Sequence, residues 1–297
     1  MYIADQVTYR FSSEDKPLFQ VQPGEPILFR TLDCYSGQVT EGGSQNLIID
    51  FNHCNPATGP ISIAGAEPGD VLVVDILDIQ TAETGVVSVA EGSGPLWDET
   101  TQPRTKILDI KDGVTSFNGI RWQVEPMIGV IGVAPSQGSS PTGHPFSCGG
   151  NMDSNRITKG CRVYLPVQTS GALLALGDLH ASMGDGEVCG TGIEVAGEVL
   201  VTTHVIKNFR LNWPVVETND MWYTCSCDVA IDQAIRTALK ELRRLMMDAY
   251  GWDSTDAFMY LSLQGSVEVN QSCLLTTIEN SVRAGVRKNP ALPPLIK

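Results

Sequence analysis

The sequence predicts a mainly β protein, with antiparallel sheets arranged as a sandwich or barrel, and an α+β C-terminal portion. Two patterns support this prediction. Short runs rich in β-branched and aromatic residues, each bounded by Gly, Pro, Asn or Asp, fill residues 1–165. Between Asp228 and Ala249 the apolar residues instead recur every three or four positions, as they do on one face of a helix.

The predicted strands of the first part are VTYRF, EPILFRTLD, QNLIIDFN, GPISIAG, DVLVVDILDIQ, TGVVSVA, TKILDI and IRWQVEPMIGVIGVA, in chain order. Segment 134–153 is rich in Gly, Pro and Ser and predicts a long loop, of a kind that often carries function. Strands resume with RVYLPVQ, GALLALGDLH and EVAGEVLVTTHVIK.

The long helix is predicted to begin after Asp228 as its N-cap and to end before Gly251. A second helix over 254–263, capped by Asp253, precedes a strand near 266–270. We expect a mainly β unit over 1–165. Over 166–297 we expect strands with a site motif, then two helices and a terminal strand, the two units forming one compact, intertwined body.

The composition excludes several classes of partner. Among 297 residues, 34 acidic side chains outnumber 20 basic ones, for a net charge of −14. This charge repels nucleic acid backbones and anionic membrane surfaces, so neither is an expected partner. There is no signal-peptide pattern and no apolar run of the roughly 20 residues that span a bilayer, which predicts a cytoplasmic protein. Eight cysteines without a CxxC pair are expected to be reduced thiols, mostly buried.

Segment 177–194, GDLHASMGDGEVCGTGIE, concentrates four carboxylates, one histidine and five glycines. Asp178 and His180 lie two apart at the end of a predicted strand and would share a face. Asp185 and Glu187 are likewise two apart, after glycines that let the chain fold back. Imidazole nitrogen and carboxylate oxygens suit a divalent cation such as zinc, and an oxygen-dominated subset would also take calcium or magnesium. The alternative is a glycine-rich hairpin whose acids face solvent.

Three further features are candidates for the same chemistry. In segment 149–153, GGNMD, two glycines could bring backbone amides close to a ligand, and Asn151 and Asp153 could bind metal or substrate; a simple turn is the alternative. Asp33 ends a predicted strand, where it is either reactive or a solvated turn residue. Cys148, four residues after His144, is either a nucleophile or a small loop residue. No GxSxG, P-loop, dinucleotide or HExxH signature is present.

Five segments together resemble the acetamidase/formamidase family. They are TLDCYSGQ (31–38), TGPISIAGAEPGD (58–70), GGNMD (149–153), LPVQTSGALLALGDLHASMGDGEVCGTGIE (165–194) and HVIK (204–207). The resemblance covers most of the chain. It implies a mostly β homo-oligomer (dimer, trimer or tetramer) that hydrolyses a short linear amide, of the formamide or acetamide type, to a carboxylate and ammonia. It also implies a divalent metal ion, for which we expect zinc, with calcium as the alternative.

Carried over position by position, the resemblance implies a site made of Asp33, Asn151, Asp153, Asp178, His180 and Glu187. Their chemistry leads us to expect Asp178 and His180, with Asp33 or Asp153, as metal ligands. Glu187 is the expected general base, and Asp33 is a further catalytic candidate. Asn151 and the amides of Gly149 and Gly150 are expected to contact the substrate and its oxyanion.

One position departs from the family pattern. Several relatives have a histidine where this chain has Asn55, a candidate substrate-binding residue here, so the metal site is expected to differ from theirs. Two other functions stay open: the same site acting on another amide, a cyclic imide or a lactone, and a non-catalytic metal-binding β domain.

Overall fold

The computed structural model describes residues 1–39, 49–100, 102–273 and 279–297. Within these ranges the chain is mainly strands, with α-helices only near the C-terminus, which confirms the predicted fold class. The strands are β1 Tyr2–Ala4, β2 Val7–Thr8, β3 Arg10–Ser12, β4 Gln20–Val21, β5 Ile27–Thr31, β6 Ala57–Ile63, β7 Val71–Thr81, β8 Thr84–Val89, β9 Arg104–Asp109, β10 Val114–Phe117, β11 Ile120–Gln123, β12 Met127–Gly132, β13 Ser139–Pro141, β14 Pro145–Phe146, β15 Gly149–Asn151, β16 Arg162–Pro166, β17 Leu174–His180, β18 Glu194–Val195, β19 Gly197–Ile206, β20 Val215–Glu217, β21 Met221–Asp228, β22 Gly265–Gln271 and β23 Asn280–Arg287. The helices are α1 Ile231–Tyr250 and α2 Ser254–Gln264, with 3-10 turns at Phe51–His53 and Trp97–Glu99.

Two large, predominantly antiparallel sheets account for most of these strands. The first runs in the order β1-β5-β19-β7-β16-β20-β21-β23-β22. The second runs β14-β15-β12-β17-β18-β8-β9, and β6 joins it by pairing with β17, β2 and β4. Among the described strands, β1–β5 and β4–β6 pair in parallel. Strands from before and after residue 165 alternate within both sheets, and the expected unit boundary falls inside β16.

One apolar core contains side chains of both large sheets, such as Phe29 and Val199 from the first and Ile131 and Leu176 from the second. Burying these aliphatic and aromatic surfaces is the main favourable contribution to the fold. A second core lies where α1 and α2 cover β21 and β23, with Leu242, Leu245 and Met246 inside. Segment 177–194 starts on β17, a central strand of the second sheet.

The helices follow their sequence signals closely. The apolar face predicted for α1 is the face it buries, and Gly251 ends the helix in the left-handed conformation (φ 70°) that glycine adopts without strain. The Asp253 carboxylate caps α2 by accepting from the amides of Thr255 and Asp256. Asp228 is not the N-cap of α1, because that position is Ala230, two residues later than predicted. The Ala230 amide donates to Asp228 Oδ1, so the aspartate still binds the start of the helix.

Two other local predictions are wrong. Residues 49–52 of the predicted strand QNLIIDFN form an irregular segment and a 3-10 turn, and the rest, 45–48, lies outside the described residues. The Asp50 carboxylate caps this turn and Phe51 is exposed, so no burial favours a strand there. Segment 134–153 contains β13, β14 and β15, because its backbone pairs with β3 and β12 in spite of its turn-rich composition.

Among the residues that the structure describes, no helix is both long and apolar enough to cross a bilayer.

Candidate functional site

His180 is the centre of the site, at the end of β17 and almost completely buried (1% exposed). Asp178 reaches the same space from the same strand, with Oδ2 3.8 Å from His180 Nε2. The shared face expected from their spacing is therefore present, although Asp178 has a positive φ of 54°. Glu194 stands opposite His180 on the neighbouring strand β18, and its Oε2 lies 3.1 Å from His180 Nε2.

Two loops bring further carboxylates to the histidine. Asp153, two residues beyond β15, has Oδ1 3.9 Å from His180 Nε2. Glu187, in the glycine-bearing loop after β17, has Oε1 4.0 Å from the same nitrogen. Asp153, His180 and Glu187 each offer a ligand atom within 4.8 Å of the others. Four buried carboxylates thus converge on one buried imidazole.

Amide groups hold these carboxylates in position. Gln271, at the end of β22 in the first sheet, donates from Nε2 to Asp153 Oδ2 and Glu187 Oε2, both at 2.6 Å. Asn55 donates from Nδ2 to Asp178 Oδ2 at 3.0 Å. These bonds join the two sheets and the segment before β6 into one polar cluster, and they fix which carboxylate oxygens face the interior.

Burial makes the charged forms of these acids unfavourable. It is the largest cause that raises the pKa of Asp178 and of Glu187 to about 7, and that of Glu194 to about 8. Burial, with Glu187 and Asp178 close by, also raises the pKa of Asp153 well above its usual range. A cation among these groups would remove the repulsion and favour the ionised forms.

The polar cluster forms the floor of a cavity of about 640 Å³. Asn55, Asn151, Asp153, Asp178, His180, Glu187, Glu194 and Gln271 all line it, together with residues of segments 34–35, 51–55, 88–93, 141–144 and 189–191. Among the described lining residues there is no Lys or Arg. A cavity of this size admits a small organic molecule and water.

Glycines leave the room that the cluster needs. A Cβ at Gly129, on the strand beside β17, would lie 2.5 Å from Asp153 Oδ1 and 2.9 Å from Asp178 Oδ2. One at Gly192 would lie 2.8 Å from His180 Nδ1. Either side chain would push one of these polar groups out of place.

The donor set fits a divalent cation. Asp153 Oδ1, Asp178 Oδ1 and Glu194 Oε2 are buried oxygens that receive no hydrogen bond, and so is the side-chain oxygen Oδ1 of Asn151. Buried oxygens normally have partners, because leaving one unpaired costs about 1–3 kcal/mol. Imidazole with carboxylates is a common donor set for zinc, and carboxylate oxygens also suit calcium.

The structure brings together most of the residues singled out from the sequence, but not all. Asp33 does not line the cavity, although the next two residues in the sequence do. Its Oδ1 accepts hydrogen bonds from the amides of Tyr35 and Gly37 within its own turn. Gly149 and Gly150 pair with β12 inside the second sheet and do not line the cavity. A Cβ at Gly149 would meet Ile131 O at 2.2 Å, so close strand packing accounts for this glycine.

Two ambiguous residues lie outside the cluster. Asp185 is half-exposed and pairs with the buried Arg283 at 2.6 Å, which anchors the loop that carries Glu187. Cys148 is fully buried in the apolar core, and burial raises the pKa of its thiol to about 11. Its position favours the structural interpretation over that of a nucleophile.

Sequence reasoning gave no role to Glu194, Gln271 or Cys34. Glu194 was visible as the last carboxylate of segment 177–194, and its position opposite His180 follows once β17 pairs with β18. Gln271 has no motif, and its contacts with Asp153 and Glu187 span 118 and 84 positions. Cys34 was visible in the TLDCYSGQ segment but was counted as a buried thiol.

Comparison with known proteins shows the family of this chain. The model of the Acetamidase/Formamidase family matches residues 3–144 and 137–282, which is nearly the whole chain. The chain belongs to the acetamidase/formamidase family.

Solved structures of similar chains have the same fold. One, described as a predicted acetamidase/formamidase from the thermophile Thermoanaerobacter tengcongensis, is 39% identical, with a TM-score of 0.92 over 96% of this chain and 95% of that one. An acetamidase from Bacillus halodurans is 35% identical, with a TM-score of 0.91 over 96% of this chain and 97% of that one.

A formamidase from Methylophilus methylotrophus is 28% identical over 264 residues, which are 68% of this chain and 65% of that protein. The chain spans 61–65% of the length of the curated relatives it matches.

Proposed function

We propose that this protein hydrolyses the C–N bond of a short linear amide, of the formamide or acetamide type, to a carboxylate and ammonia. The observation that carries the proposal is the buried cluster itself: four carboxylates and His180 converge on a cavity in a member of this family. Relatives of this chain are named formamidase and acetamidase.

His180, Asp178 and Asp153 would hold a divalent cation, zinc by preference and calcium as the alternative. Of the two acids considered for the third position, Asp153 has an unpartnered oxygen 3.9 Å from His180, whereas Asp33 Oδ1 is occupied by turn amides. When bound, such an ion supplies Lewis acidity, polarising the amide carbonyl and acidifying water.

Glu187 would act as the general base. It takes a proton from the attacking water and delivers it to the amide nitrogen, which departs as ammonia once protonated. Its burial and its raised pKa of about 7 suit a carboxylate that must both accept and return a proton near neutral pH. Asn151 lines the cavity, and its side-chain oxygen Oδ1 is unpartnered, which supports a role in accepting an N–H bond from the substrate amide. Contact with the oxyanion would have to come from its Nδ2 donor.

Asn55 supports a substrate-binding role less directly, because its amide donates to Asp178. Asn55 also lines the cavity, so its remaining amide oxygen could face a bound amide. The glycines at 149 and 150 would then support the site by shaping β15 rather than by direct contact.

Ammonia release from formamide, acetamide and propionamide, measured on metal-loaded protein with and without a chelator, tests the proposal. We expect release from at least one of them and its loss with the chelator. The cavity of about 640 Å³ exceeds what acetamide needs, so a larger linear amide, a cyclic imide and a lactone belong in the same screen. If only the cyclic imide or the lactone is hydrolysed, the proposed substrate class changes from linear amides to ring compounds. Metal binding without any turnover would favour a non-catalytic domain.

We also propose that the protein is a cytoplasmic homo-oligomer. Cysteines such as Cys34, Cys54 and Cys189 are thiols, as is usual in a reducing compartment. Light scattering on the purified protein would give the number of subunits, and a monomer would contradict the proposal.

A further inference from the structure

A second group of ligand-type side chains adjoins the cluster around His180. Cys34, just after β5, and Glu194, on β18, meet Asp178, and the three offer atoms within 4.8 Å of one another. All three side chains are buried, at 6%, 2% and 1% exposure respectively. This group brings the Cys34 thiol into the site, and the proposed amide hydrolysis gives that thiol no role.

The oxygens of this second group are only half satisfied. Asn55 Nδ2 occupies Asp178 Oδ2, and the amide of Gly192 occupies Glu194 Oε1 at 2.9 Å. The other oxygens, Asp178 Oδ1 and Glu194 Oε2, are buried without a hydrogen bond of good geometry, although the Cys34 thiol interacts with Glu194 and His180 Nε2 lies 3.1 Å from Glu194 Oε2. Each acid thus has one oxygen fixed by an amide and one available for a ligand.

Charge gives an independent reason for a second cation. Asp153, Asp178, Glu187 and Glu194 carry four negative charges when ionised, and no Lys or Arg is among the described residues that line the cavity. One divalent ion balances two of these charges. Uncompensated buried charge is strongly unfavourable. A second divalent ion would balance the other two carboxylates and leave only the charge of a Cys34 thiolate uncompensated.

The ligand types indicate which ions would bind. A thiolate beside carboxylates favours zinc and similar borderline metals and disfavours calcium and magnesium, which prefer oxygen alone. Asp178 is also a proposed ligand of the first ion: its Oδ2 lies 3.8 Å from His180 Nε2 and keeps a lone pair beside the Asn55 bond, while its Oδ1 is unpartnered. A carboxylate between two ions is compatible with two-metal hydrolytic sites, in which the ions lie about 3.5–4 Å apart.

We propose that this cavity binds two divalent metal ions, the second held by Cys34, Asp178 and Glu194 through a thiolate and two carboxylates. The inference rests on the proposed function for the first ion, whose ligand Asp178 it shares. It adds a thiolate-bearing site that makes the centre selective for zinc-like metals.

Cobalt titration of the metal-free, reduced, full-length protein tests this directly. Co²⁺ replaces zinc in many sites, and a thiolate ligand gives it a ligand-to-metal charge-transfer band in the near ultraviolet. We expect two cobalt ions per chain after desalting, measured by mass spectrometry of the metal content, and a thiolate band. Calcium should not displace the second ion.

Variants assign the band to its residue. Cys34→Ser should abolish the charge-transfer band and weaken the affinity for the second cobalt ion by at least about tenfold, since even residues that only hydrogen-bond to metal ligands contribute about 10–100-fold. Glu194→Gln should also weaken the affinity for the second cobalt ion, while Cys34 remains present as a thiol ligand. Cys189→Ser is the matched control, because its sulfur also lines the cavity but contacts the carbonyls of Ser88 and Thr191; it should keep the band.

One cobalt per chain without a thiolate band, or a band that persists in Cys34→Ser, would overturn the proposal. The outcome is separable from amide hydrolysis. Ammonia release by a protein that binds a single ion refutes only the second site. Two bound ions with the thiolate band, but without turnover of any amide, refute only the proposed function.

Discussion

Replacing Glu187 with glutamine is the sharpest test of the proposed chemistry. The change removes a carboxylate and keeps its size, so the main loss is the ability to take a proton. Gln271 Nε2 now donates to Glu187 Oε2 at 2.6 Å, and the amide oxygen of a glutamine at 187 can accept the same bond. The loop should therefore keep its place, and the fold should be unchanged.

The expected size of the effect follows from the role. A general base contributes roughly 10²–10⁴-fold, so kcat for ammonia release should fall by at least about 100-fold, with KM changed much less. The metal content should stay at the wild-type level, because His180, Asp178 and Asp153 remain. Glu198→Gln, which removes an exposed acid paired with Arg30, is the matched control and should behave as wild type.

The pH profile adds a second readout. Below its pKa, about 7 without a bound ion, Glu187 carries a proton and cannot accept one, so kcat/KM should fall toward acid. A bound cation will lower the pKa of Glu187 and so move this fall in kcat/KM to lower pH. Near-normal activity in Glu187→Gln would refute the assignment, and loss of metal in that variant would show that Glu187 is a ligand instead.

Three further predictions follow from the geometry. Gly129→Ala should weaken metal binding in calorimetric titration, because its methyl group would lie 2.5 Å from Asp153 Oδ1, whereas Gly184→Ala meets open space and should bind normally. Asp253→Ala should lower the free energy of unfolding in urea by about 1 kcal/mol, through loss of the cap of α2, and an unchanged value would contradict the cap's contribution. In metal-free protein the cluster carboxylates bind more protons when folded, since their pKa values are raised to about 7 for Asp178 and about 8 for Glu194. Stability in urea should therefore fall as pH rises from about 4 to 8, and saturating zinc should reduce that fall; a rise with pH would refute the reasoning.

Local patterns predicted the elements and part of the site well. The three- and four-residue spacing gave the correct face of α1, and Asp253 and Gly251 act as the caps they resembled. On β17, alternation was enough to predict that Asp178 and His180 meet. These successes share a cause: each depends on interactions within a few residues of one element.

The features that local patterns did not reveal are non-local or concern single turns. Asp33 looked like a site residue, but its carboxylate binds the amides of its own turn. Segment 134–153 looked like a loop, yet it gained strands by pairing with β12 and β3. In both cases a hydrogen-bond partner, which composition does not reveal, decided the outcome.

From the sequence alone, the mainly β class, the terminal helices and the candidate site segment 177–194 could be predicted, because periodicity, capping residues and a high density of acids are local properties of the chain. Only the tertiary structure decided which groups share the site. Gln271 reaches Glu187 across 84 positions, and Asn55 reaches Asp178 across 123. Such meetings depend on strand order and on the packing of two sheets, and these arise from the burial of the whole core rather than from any local pattern.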